Sequence, residues 1–143
     1  MDQGLDRLDR MLKALADPTR LRIVGLLQDG DVCVCHIHES LKISQPKASR
    51  HLAYLRRAGI VATERRGLWV HYRLARQPDA TTQAILDAIR HGATHLKTVQ
   101  RDSSHLRKAT GCAAGAVRRL TRPDRVVAGS GVDTAPAARR RRA

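Results

Sequence analysis

The hydrophobic period of the chain changes at Gly59, and this change limits the architectures open to it. Before Gly59, apolar residues recur three or four positions apart. From Val61 to Leu74 they alternate, and beyond Pro78 the helical spacing returns. Leu5, Leu8, Leu12 and Leu15, with Asp6, Arg7, Asp9, Arg10 and Lys13 between them, predict an amphipathic first helix. Asp17 suits the cap of a second, with Pro18 in its first position and Leu21, Val24 and Leu27 leading to a stop at Gly30. A short third helix is expected over 34–41. Ser44 can cap a fourth, which has Pro46 in its first turn and runs to Ala58. Val61 to Arg65 and Leu68 to Leu74 then read as two strands joined at Arg66-Gly67. A longer helix over about 80–100 carries Ile85, Ala88, Ile89, Gly92, Leu96 and Val99 on one face.

Helix, helix, short helix, turn, helix, hairpin, helix is the order of a winged helix-turn-helix. The short connection before the fourth helix lets that helix project into a major groove while the third crosses the backbone. The expected fold is therefore mainly α with a small β-hairpin. Residues 1–100 are expected to form the DNA-binding domain. Beyond about residue 101 the periodicity decays, so 101–143 are expected to be a C-terminal extension with a disordered basic tail ending in Arg139-Arg140-Arg141-Arg142.

Charge agrees with a polyanionic partner. Twenty-seven Lys and Arg against thirteen Asp and Glu give a formal charge of +14. Eleven of the basic residues and only three of the acidic ones lie in 101–143, so the argument for DNA must rest on particular residues rather than on the total. Aromatics are 2% of the chain, too few for a single-strand binder that stacks bases on rings. No apolar run is long enough to span a bilayer, and the first residues are unlike a secretory signal. A soluble, cytoplasmic protein with no membrane partner is expected.

On the fourth helix, Ala48, Leu52 and Leu55 should pack inward. Ser44, Gln45, Lys47, Ser49, Arg50 and His51 are the candidate DNA contacts, since Gln pairs with adenine, Arg with guanine, and Ser and His donate to base edges or phosphates. Arg65 and Arg66 at the hairpin turn are the candidate wing contacts. Trp69 and His71 read as packing residues of the wing strand.

Three runs carry a resemblance. Leu15-Ala16-Asp17-Pro18-Thr19-Arg20-Leu21-Arg22-Ile23, Ser44-Gln45-Pro46-Lys47-Ala48-Ser49-Arg50-His51-Leu52 and Gly67-Leu68-Trp69-Val70-His71-Tyr72-Arg73-Leu74 resemble the ArsR family of metal-sensing repressors. Residues 31–41 resemble its arsenic- and antimony-responsive members. The resemblance runs from about residue 8 to 100. It implies a homodimer that binds an imperfect inverted repeat and leaves it when the metalloid binds. It also implies an interface of the first and last helices, where Leu5, Leu8, Leu12 and Leu15 meet Ile85, Ile89, Gly92 and Leu96.

Cys33-Val34-Cys35 sits where the third helix begins. Two residues apart on a helix means about 200° of rotation, so the sulfurs cannot converge in mid-helix. With Cys33 at the cap, in non-helical conformation, they can approach, and the helix N-terminus favours thiolate. Soft thiolates suit trivalent arsenic or antimony as inducer, with no organic cofactor. The third ligand departs from the Cys-Val-Cys-x-x-Cys run of close relatives, because His38 stands at the third Cys position. Cys112, from the same or the partner chain, is the candidate in its place; the alternative is two thiolates completed by His38 or a water. His91 and His95, with Asp87, share a face of the last helix with spacing that permits a metal, although a solvated or interface face is the simpler reading.

Two other readings compete. A cadmium-, lead- or zinc-responsive repressor of the same fold shares Cys-Val-Cys, but such proteins usually add N-terminal cysteines that are absent before Cys33. A non-specific DNA-compacting protein would use the Arg tail and need neither the thiol pair nor an asymmetric recognition helix. An enzyme, such as a thiol oxidoreductase, is not expected, since neither Cys-x-x-Cys nor a phosphate-cradling loop is present.

Overall fold

A computed structural model describes residues 2–109 and 118–119. Helices α1 (Gln3–Leu15), α2 (Pro18–Leu26), α3 (Val34–Leu41) and α4 (Gln45–Arg57) precede the hairpin of β2 (Val61–Arg66) and β3 (Trp69–Leu74). Helices α5 (Ala80–Ala93) and α6 (Lys97–Lys108) follow it. A short strand, β1 (Gly30–Cys33), runs directly into α3, and a two-residue strand, β4 (Arg118–Arg119), lies on its outer edge. The sheet order is β2-β3-β1-β4. This is the expected winged helix-turn-helix, with the wing extended inward by β1.

Local chemistry sets the helix starts. Side chains of Asp2, Asp17, Ser44 and Asp79 each accept from a backbone N–H of the following turn, contributing about 1 kcal/mol apiece. Lys42, at φ 57°, turns the chain out of α3 in the left-handed region, which sets the sharp α3–α4 junction. The core between the helices and the sheet is aliphatic: Met11, Ile23, Val24, Ile37, Leu41, Leu52, Leu55, Ile60 and Leu86 are almost wholly buried.

Two elements differ from the sequence expectation. The last helix is broken: α5 ends at Ala93, where N–H groups of Thr94, His95 and Leu96 bond three residues back, to His91, Gly92 and Ala93. The chain then starts α6, which lies against α2 and α3. Gly25 permits that approach, since a Cβ there would stand 2.6 Å from Val99 Cγ1 and 3.2 Å from Ala93 Cβ. Helix α6 also continues past residue 101, where the apolar period fades, because its inward face carries Asp102 between Val99 and Leu106. The second difference is β1. Its four residues are buried without alternation, so they carry no period-2 signal.

Candidate nucleic-acid interface and thiol site

Helix α4 turns Ala48, Leu52 and Leu55 fully inward and leaves Gln45, Lys47, Ser49 and Arg50 exposed. Ser44 is spent in part on its own helix, accepting from Lys47 N at 3.3 Å. His51 is half-buried at the edge of the exposed face. Its Nδ1 stands 3.4 Å from Arg20 Nη1 and 3.8 Å from Asp17 Oδ1. Burial, reinforced by Arg20, Lys47 and Arg50, outweighs Asp17 and holds its pKa below the usual 6.5. The shift favours the neutral ring, which is tied to α2.

Arg20 joins three helices. Its Nε donates to Ala14 O at 2.6 Å, satisfying a carbonyl at the end of α1. Its guanidinium lies 4.1 Å from the Tyr54 ring centroid on α4, a cation–π contact. Nothing in the spacing of Arg20 along the sequence announces this bridging role.

In the wing, the turn residues are Gly67, at φ 61°, and Leu68, which is 85% exposed. Arg65 is exposed, and among the described residues it makes no ion pair. Arg66 is engaged within the protein: its Nη2 donates to Asp31 Oδ2 at 2.6 Å and to Glu64 Oε2 at 3.0 Å. The two candidate wing arginines therefore differ, one presented outward and one held.

The thiols meet as the cap geometry requires. Cys33 is both the last residue of β1 and the N-cap of α3, with φ −68° and ψ 146°, and its Sγ lies 3.0 Å from Cys35 Sγ in the first turn. Cys33 is buried and Cys35 half-buried. Cys33 pairs with His71 across the sheet, and His71 pairs in turn with Glu64. Directly paired residues share a face, as do residues two apart on a strand. Asp31, Cys33, His71, Glu64 and Arg66 therefore lie on one face. Burial first, then Arg66, pushes the His71 pKa below 6.5 against the pull of Asp31 and Glu64. Among the described residues, His71 Nδ1 and both ring nitrogens of buried His36 find no hydrogen-bond partner.

No three His, Cys, Asp or Glu side chains of the described residues come together as a metal site. His38, about one turn beyond Cys35 on α3, does not complete one with the two thiols. His91 and His95 are exposed, and the break after Ala93 takes His95 off the helix that carries Asp87 and His91. Cys112 and Arg139 to Arg142 lie outside the described residues. No helix of the described residues is long and apolar enough to cross a membrane.

Residues 17–63 match the family described as "Bacterial regulatory protein, arsR family". An arsenic resistance transcriptional regulator of Pseudomonas putida, ArsR1, is 46% identical over 83 residues, covering 54% of this chain and 65% of that protein. The arsenical resistance operon repressor of Escherichia coli K12 is 48% identical over 79 residues, 54% of this chain and 68% of that one. The match thus spans just under two thirds of the first relative and just over two thirds of the second. Among solved structures, HlyU from Vibrio cholerae aligns with a TM-score of 0.55 at 31% identity, covering 64% of this chain and 96% of its own. The homodimeric winged helix-turn-helix DNA-binding domain Mb0332 from Mycobacterium bovis aligns at 0.54 and 29%, covering 65% and 87%.

Proposed function

The chain belongs to the arsR family of bacterial regulatory proteins, and from that premise we propose that it is a repressor that binds operator DNA as a homodimer and is released when trivalent arsenic or antimony binds its thiols. The observation that carries the reading is the 3.0 Å approach of Cys33 Sγ to Cys35 Sγ at the start of α3. Two sulfurs at that separation are placed for a single thiophilic atom to bridge. The names of the relatives from Pseudomonas putida and Escherichia coli support the choice of metalloid.

Cys112 is the third sulfur of this reading. The backbone of Arg118–Arg119 pairs with Gly30–Asp31, so the chain six residues beyond Cys112 lies against the strand that ends in Cys33. Six residues reach at most about 20 Å, enough for the thiol to meet the pair in its own subunit.

Operator reading falls to Gln45, Lys47, Ser49 and Arg50 on the exposed face of α4, with Ser44 and His51 at its margins and Arg65 and Arg66 on the wing. The inverted repeat follows from two-fold symmetry, which sets two recognition helices about one helical turn of DNA apart. Pulling the thiols onto one ion distorts the first turn of α3, and α3 leads through Lys42 and Ile43 into α4.

The test is arsenite-driven release of the protein from its operator, followed by fluorescence anisotropy. Cys33→Ser and Cys35→Ser proteins are expected to bind the operator as the parent does and to stay bound in arsenite. Cys112→Ser is expected to need more arsenite for release. A Cys33→Ser/Cys35→Ser protein still released at the parent's midpoint defeats the reading. Release by cadmium with no response to arsenite would assign the pair to a divalent ion.

A further inference from the structure

The thiol pair has a second route to the DNA besides α3 and α4. It begins at Asp31, whose carboxylate is 8% exposed and receives Arg66 Nη2 at 2.6 Å. Asp31 lies two residues before Cys33 on β1 and faces the same way. Arg66 is the last residue of β2, next to the wing turn at Gly67 and Leu68. It belongs to a strand that does not pair with β1, because β3 lies between them. Its side chain therefore reaches across the intervening strand, past His71, to the strand of the thiols. Glu64 holds the same guanidinium at 3.0 Å and approaches Arg73 at 3.5 Å, so the tip is braced by alternating charges.

β1 joins the wing through β3. Its backbone register with β3 comprises two residue pairs, Val32 with Tyr72 and Cys33 with His71. Cys33 ends β1 and caps α3 with no linker between them. A force that draws Cys33 Sγ onto an ion therefore acts on β1 as directly as on α3. The other end of that four-residue strand carries Asp31.

We infer that Asp31 is a positioning residue, whose ion pair with Arg66 latches the wing in its DNA-competent pose and opposes loading of the thiol pair. The inference rests on the assignment of Cys33 and Cys35 as the metalloid thiols. Metalloid binding shifts β1, the Asp31–Arg66 bond lengthens or breaks, and the wing tip loses its brace as α4 tilts. Two outputs then move together from one input. Asp31 and Arg66 touch neither the ion nor its sulfurs in this scheme; they act on the balance between two conformations. Weakening the latch makes the loaded conformation more accessible, so the metalloid must bind more tightly to a latch variant.

That sign separates a latch from ordinary structural support, whose loss would loosen the thiol site. The experiment titrates arsenite into the full chain without DNA, following thiolate–arsenic absorbance in the ultraviolet, with circular dichroism to show that each variant is folded. Asp31→Asn and Arg66→Gln are both expected to bind arsenite about fivefold more tightly than the parent, at the lower end of allosteric couplings. The double variant should bind no more tightly than either single one, since each removes the same bond. Measuring without DNA keeps any contact of Arg66 with phosphate out of the comparison. Arg66 is half-exposed, so Arg66→Gln carries the test if Asp31→Asn does not fold. Unchanged or weaker arsenite binding in the variants overturns the latch while leaving the thiol assignment standing. A parent protein that binds no arsenite overturns both.

Discussion

Arg22 and Asp102, eighty positions apart, form a two-pronged ion pair: Nε donates to Oδ2 at 2.8 Å and Nη2 to Oδ1 at 2.9 Å. Arg22 Nη2 also donates to Leu41 O at 2.9 Å, a carbonyl at the end of α3. His105, one turn beyond Asp102, places Nδ1 3.0 Å from Ser40 O. Helix α6 is thereby fastened to the C-terminal end of the helix whose N-terminal end carries the thiols.

Breaking that pair should be costly, and more so from one side. Asp102→Ala leaves Arg22 partly exposed and still bonded to Leu41 O, whereas Arg22→Ala leaves a fully buried carboxylate without its cation. Arg22→Ala is expected to lose about 3–5 kcal/mol and Asp102→Ala less. The double variant should lose less than the two combined. Urea unfolding by circular dichroism measures all three, and equal losses from the two single variants would refute the asymmetry.

Helix order, hairpin and thiol approach were legible because each has a local signature. Asp17-Pro18 and Ser44 are capping chemistry, the alternation from Val61 to Leu74 is a period, and Cys33-Val34-Cys35 can converge only at a helix start. What escaped was long-range. Arg22 with Asp102 and Arg66 with Asp31 are charged residues whose partners lie eighty and thirty-five positions away, and the chain gives no local sign of either pairing. Asp102 reads as a polar interruption that ends the apolar period, when it is the most buried residue of α6. His51 falls on the outward side by angular position, yet the Asp17–Arg20 cluster on α2 draws its ring inward.

Stability should fall with acid from near neutrality. His51 and His71 both have pKa values held below 6.5, first by burial. His51 is also opposed by the cations Arg20, Lys47 and Arg50, and His71 by Arg66 and His36. The unfolded chain binds protons at both near the ordinary value of about 6.5, while the folded chain resists. Stability is then fully present above that pH and declines as the pH drops through 6.5 toward the lower folded values. A His51→Gln/His71→Gln protein should show a flatter decline between neutral and mildly acidic buffer. Identical urea midpoint shifts in parent and variant over that interval would rule out these two rings as its source.

The proposed dimer is expected to form through α1 and the end of α5, where apolar side chains are left on the surface. Met11, Ala14 and Leu15 turn into the core, while Leu5 and Leu12 are 63% and 48% exposed and Leu96, just beyond α5, is 52% exposed. Leu8, Ile85 and Ile89 are half-buried. In a two-fold dimer each leucine covered appears twice, and covering one fully contributes about 1.5–3 kcal/mol. Leu12→Glu sets a charge in the middle of the α1 stripe and its symmetry mate. That protein is expected to sediment as a 15.8 kDa monomer and to lose affinity for a two-half-site operator, with the helical content of the parent. Leu68→Ser, which removes the most exposed apolar side chain on the wing, is expected to stay dimeric. A dimeric Leu12→Glu protein would move the interface off α1, and a monomeric Leu68→Ser protein would place it on the wing.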